Sequence, residues 1–178
     1  MSCQMSTISI KKISITKLET DAVVNAANEH LSHGAGVCGY IFNDAGASEM
    51  KAACSKYKGC PTGSAVITPG FRLPAKYVIH AVGPIWRGGC NKEPELLYSA
   101  YEKSLILAKE NECHSIGFPV ISSGIYGYPQ EQAWEVALNA CKDFIVKNGE
   151  YDIDIIFAVI NSEMFSKGDR IMKKLGIG

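Results

Sequence analysis

The chain has 178 residues, 47% of them hydrophobic, and its 18 basic side chains balance 18 acidic ones. This is the composition of one ordinary globular domain over residues 1–178, with no net charge to attract long nucleic acid and no apolar run near the ~20 residues of a membrane span. Seven scattered cysteines (Cys3, Cys38, Cys54, Cys60, Cys90, Cys113, Cys141), with no C-x-x-C pair, no H-E-x-x-H helix and no secretory leader, predict a cytoplasmic protein with free thiols, no metal and no cofactor.

In chain order, Thr7–Ile15 alternates as Ile8, Ile10, Ile13 and Ile15 and reads as a strand or strand pair. A short apolar run, Ala22–Val24, ends in Asn25-Ala26-Ala27-Asn28. A glycine-rich stretch, Gly34–Gly39, then leads into helical sequence through about Tyr57. Ala65–Thr68 and Tyr77–Val82 read as buried strands. Glu93–Glu110 places Leu97, Ala100, Tyr101, Ser104, Leu105 and Ala108 at helical spacing. Ser115–Val120 is strand-like and runs directly into a second glycine loop, Ser122–Gly127. A helix starts near Pro129, where proline is tolerated, and stops near Asn148 before Gly149. Ile153–Ile160 reads as one continuous buried strand, followed by a helix over about Ser162–Leu175. Strands alternating with helices predict a three-layer α/β fold with a mixed, largely parallel central sheet. Ligands in such sheets collect beyond the carboxyl ends of strands, where both glycine loops fall.

Loop one is His33-Gly34-Ala35-Gly36-Val37-Cys38-Gly39-Tyr40. Its glycines admit positive φ and let a ligand approach the main chain, and a helix starting near Val37 would turn unpaired amides toward the loop. That arrangement binds anions. Loop two, Ser122-Ser123-Gly124-Ile125-Tyr126-Gly127, has the composition of a second backbone nest. Two facing nests suit a diphosphate. Gly34, Gly36 and Gly39 also satisfy G-x-G-x-x-G, but nine residues separate Val24 from Gly34, whereas a dinucleotide-binding oxidoreductase needs the first glycine directly after the strand. His80 reads as a core histidine, His30 and His33 as solvated loop residues, and Trp86-Arg87-Gly88-Gly89 as a surface turn.

Taken together these motifs resemble the macro domain family, in its MacroD-type, Appr-1-p-processing branch, close to bacterial O-acetyl-ADP-ribose deacetylase-like proteins. Ile15–Asn28 is similar to the first signature, and Gly34–Gly46 to the first phosphate loop and its helix. Cys60–Thr68 and Leu73–Trp86, with His80-Ala81-Val82-Gly83-Pro84, resemble the segments that follow. Phe118–Pro129 is similar to the second phosphate loop, and the likeness runs from about Ile8 to Leu175. The resemblance implies ADP-ribose, free or on a mono-ADP-ribosylated protein, as ligand. Asn28 would hold the distal ribose, and Gly34, Gly36, Val37 and Cys38 the phosphate and that ribose. Ser122, Ser123, Gly124, Ile125, Tyr126 and Gly127 would cradle the diphosphate, with Tyr126 packed on the distal sugar. Ser14, Ile15 and Ile160 would surround the adenine.

Four positions depart from that family's pattern. Ser14 replaces the aspartate that meets the adenine amino group. Ile160 replaces an aromatic ring that stacks on the base. Cys38 replaces the aspartate of Val-Asp-Gly that handles the catalytic water, and Phe42 replaces a histidine of the same branch. The resemblance therefore carries two functions. One is hydrolysis of ADP-ribose esters, on acidic side chains or in O-acetyl-ADP-ribose, with Asn28 and Cys38 as the catalytic positions. The other is a binding module without turnover.

Overall fold

A computed structural model describes residues 6–178; Cys3 lies outside the described residues. Six strands, β1 (Thr7–Lys12), β2 (Ala22–Ala26), β3 (Ala65–Pro69), β4 (Tyr77–Ala81), β5 (Ser115–Phe118) and β6 (Asp154–Val159), form one sheet in the order β1-β6-β5-β2-β4-β3. Every neighbouring pair is parallel except β3 with β4. The helices are α1 (Gly36–Ala45), α2 (Ala47–Ser55), α3 (Glu93–Glu110), α4 (Gln130–Lys147) and α5 (Ser162–Lys174).

The pleat sorts alternate residues of each strand to opposite faces, and both faces are covered. Ala22 and Val24 of β2, Ile79 and Ala81 of β4, and Ile155, Phe157 and Val159 of β6 face a core shared with α3, α4 and α5. Its centre is aromatic, with the Trp134 ring 5.2 Å from Phe157 and Tyr101 5.1 Å from Phe118. Val23 and Val78 face the other way, into a second core built with α1 and α2. The expected mixed, largely parallel three-layer α/β fold is the one observed.

Boundaries differ from the sequence reading where tertiary packing decides them. The N-terminal strand ends at Lys12, and Ile15–Lys17 is a 3-10 turn that buries Ile15 in the second core. The helical stretch through Tyr57 breaks at Gly46, whose φ of 110° ends α1 while its N–H bonds the Phe42 carbonyl. The run Ile153–Ile160 is not uniformly buried, because Asp154 and Ile160 at its ends are exposed. Trp86 is more than a surface turn residue, since its ring packs 4.6 Å from Tyr128.

His80 is fully buried on β4, with Nδ1 3.1 Å from Asn25 Nδ2 and Nε2 3.0 Å from Thr68 Oγ1. Burial lowers its pKa to about 4, so it is a neutral core residue, as its strand position predicts. Glu93 is buried as well, but its carboxylate accepts the amides of Arg87, Gly89 and Asn91 and thereby fastens the loop before α3. Among the described residues the free thiols are Cys38, Cys54, Cys60, Cys90, Cys113 and Cys141. Among them too, no group of three or more His, Cys, Asp or Glu is placed to hold a metal ion, and no helix is long and apolar enough to cross a membrane.

Candidate functional site

Parallel neighbours end on the same edge of a sheet, so the chain leaving β4, β2, β5 and β6 gathers beyond one rim. There the two glycine loops line one cleft of about 520 Å³. Loop one, Asn28 and Ser122–Tyr126 line it, together with Gly83 after β4 and Ala158–Asn161 with Met164 at the end of β6 and the start of α5.

Loop one is shaped by close main-chain approaches. Leu31 takes a left-handed φ of 55° and its N–H bonds the Asn28 carbonyl. Asn28 is held by Ser32, whose N–H donates to Asn28 Oδ1 (3.1 Å) while Asn28 Nδ2 donates to Ser32 Oγ (3.0 Å). A Cβ on Gly39 would lie 2.8 Å from the Gly34 carbonyl oxygen, so the loop can fold against the helix only over a glycine. Gly36 opens α1 with φ 61°, and the N-cap residue Ala35 contributes no side-chain cap. The first-turn amides of α1, at the positive end of its dipole, are thus left for a ligand.

In loop two, Ser122 adopts a left-handed φ of 68°, a strained state for a non-glycine residue held by its surroundings. The Ser122 carbonyl accepts from Tyr128 N (2.9 Å), Gly124 O from Gly127 N (3.0 Å) and Tyr126 O from Trp86 N (2.8 Å). While these carbonyls are paired, the amides of Gly124, Ile125 and Tyr126 bond no other described residue. The loop rests on Gly83, where any Cβ would lie 2.3 Å from Ser122 Oγ.

Only Cys38 and Tyr126 among the wall residues carry ionisable side chains. The buried Cys38 thiol donates toward the Ser32 carbonyl (3.6 Å) and sits 3.5 Å from Asn25 Nδ2. Burial, with Glu29 and Cys38 nearby, raises the Tyr126 pKa, so its phenol stays a neutral donor. A wall without carboxylate, lysine, arginine or histidine side chains leaves backbone dipoles as its groups for an anion.

Of the residues singled out in the sequence, Asn28, Gly34, Gly36, Val37, Cys38, Ser122, Ser123, Gly124, Ile125, Tyr126 and Ile160 line the cleft. Ser14, Ile15 and Gly127 do not. Ser14 is half-buried with Oγ 3.2 Å from Thr16 Oγ1, Ile15 is buried in the second core, and Gly127 is an exposed hinge after the loop. Sequence reasoning missed Gly83, Asn161 and Met164. The carboxyl-end rule that located the glycine loops would have found them had it been applied to β4 and β6 as well. His33 is tied to Asn43 (3.1 Å) and faces Phe42, and His30 is exposed; neither lines the cleft.

Against known proteins, the family model described as "Macro domain" matches residues 24–137. A macro domain-containing protein of Methanosarcina mazei is 47% identical over 148 residues, spanning 83% of this chain and 79% of its own. The ADP-ribose glycohydrolase MACROD2 of Xenopus laevis is 50% identical over 153 residues, 85% of this chain but 36% of that longer protein. The macrodomain of Trypanosoma brucei in complex with ADP-ribose superposes with a TM-score of 0.85 at 35% identity, covering 93% of this chain and 68% of that one.

Proposed function

The chain belongs to the macro domain family, and from that premise we propose that its cleft binds ADP-ribose, free or carried on a modified protein. The observation that carries the reading is the pair of backbone donor sets. The uncapped first turn of α1 and the unpaired amides of Gly124, Ile125 and Tyr126 line one cleft. A pyrophosphate there meets donors from both loops and no carboxylate, so binding needs no net positive charge. The polar end, where Ser32 holds Asn28 in place, takes the distal ribose; Tyr126 packs on that sugar, and the apolar end takes the base.

A second reading, hydrolysis of an ADP-ribose ester, is favoured by the preset Asn28 amide. With no carboxylate or imidazole on the wall, the water would be placed by Asn28 and by the ligand's own phosphate. The thiol of Cys38 makes a poor acceptor for that role, which sets binding ahead of turnover. Free thiols accord with a cytoplasmic setting, and a mono-ADP-ribosylated protein is the macromolecular partner of this reading.

Calorimetric titration with ADP-ribose, ADP and ribose 5-phosphate tests it. ADP-ribose is expected to bind tightest, and no heat with any of the three sinks the proposal. Multiple-turnover release of ADP-ribose from a protein modified on acidic side chains separates the two readings.

A further inference from the structure

The base end of the cleft is built differently from its other end. Its walls are Ala158, Val159, Ile160 and Met164, with Asn161 as the one polar side chain. Asn161 caps α5, and its Oδ1 already accepts the amides of Glu163 (2.8 Å) and Met164 (3.2 Å). What it has left is the Nδ2 donor, which can meet a ring nitrogen common to the purines and cannot accept from a 6-amino group. Ser14, the hydroxyl that the sequence assigns to the base, follows Ile13, whose N–H bonds the Val159 carbonyl (3.1 Å), and its Oγ is shared with Thr16 Oγ1 (3.2 Å). No carboxylate lines this end to accept a hydrogen bond from an exocyclic amine.

We propose that this cleft holds its base chiefly by apolar contact and accepts purine diphosphate riboses with little regard to the 6-substituent. The inference rests on the ADP-ribose reading above and names the ligand class of that same site. Ile160 is 75% exposed and lines the cleft, as does half-buried Met164. A planar ring laid between them buries aliphatic and thioether surface whichever purine it belongs to. Selectivity of a pocket comes from buried polar groups that a wrong ligand leaves unpaired, and Asn161, the one polar side chain lining this end, is exposed to water. A dedicated charged acceptor for the amine would discriminate by roughly ten- to a hundredfold, and its absence removes that factor.

The test is calorimetry on the intact chain with ADP-ribose and inosine diphosphate ribose, which differ at the 6-position of the purine. Dissociation constants within fivefold of each other are expected. More than fivefold preference for ADP-ribose overturns this inference and leaves the site reading standing; no binding of ADP-ribose overturns both. Ile160→Ala, at an exposed position, is expected to weaken both ligands by the same factor. A change in their ratio would mean that this wall reads the base, and would overturn the inference as well.

Discussion

Gly124→Glu separates the ligand site from the fold, because the folded protein has room for the new side chain. Gly124 is exposed, its φ lies outside the left-handed range, and a Cβ there would meet nothing within 4 Å. The melting temperature should therefore stay within a degree or two of the parent. Binding should not. A carboxylate about 5 Å from a pyrophosphate charge, at an effective dielectric near 20, costs about 3 kcal/mol per charge pair. That corresponds to a loss of at least a hundredfold in affinity, to which the bulk over the Gly124 and Ile125 amides adds. Gly124→Ala supplies the control, since it adds a methyl without charge and should cost less than tenfold. Raising the salt concentration should restore part of the loss in the glutamate variant and change the parent little, because backbone dipoles attract the ligand only at short range. A glutamate variant that binds ADP-ribose within threefold of the parent, with unchanged melting, would refute the placement of the phosphates in loop two.

Asn28→Ala should weaken ADP-ribose by about 1–3 kcal/mol through lost buried hydrogen bonds, measured by the same titration; a change of a few tenths contradicts the ribose assignment. Gly83→Ala should destabilise the fold by about 1–3 kcal/mol in urea unfolding, because its Cβ would overlap Ser122 Oγ, and it should loosen ligand binding through loop two. Cys38→Asp should create or raise turnover on ADP-ribosyl esters if a missing carboxylate limits hydrolysis, and a product assay reads it directly. Buried His80, with its pKa lowered to about 4, binds its proton more readily in the unfolded chain. Its contribution is therefore fully present above pH ~6.5 and is lost as pH falls toward 4, by about 2 kcal/mol at pH 5. His80→Gln should flatten the unfolding free energy between pH 7.5 and 5, and an equally steep decline would assign the acid sensitivity to other groups.

The sequence by itself determined the architecture and the chemistry of the two loops. Period-two and helical spacing are local signals, so Glu93–Glu110 is the helix observed and each strand falls within a few residues of its predicted place. Glycine where a backbone must come close is equally local, and both loops proved to line one cleft. Tertiary structure alone decided which groups share the cleft. Asn161 and Met164 join Val37 and Tyr126 there because β6 pairs with β5 and ends on the same rim, a register that residue spacing does not contain. Ser14 lies outside that wall because the chain turns at Ile15 to bury its side chain under α1, and a residue's neighbours in space follow from packing across the sheet.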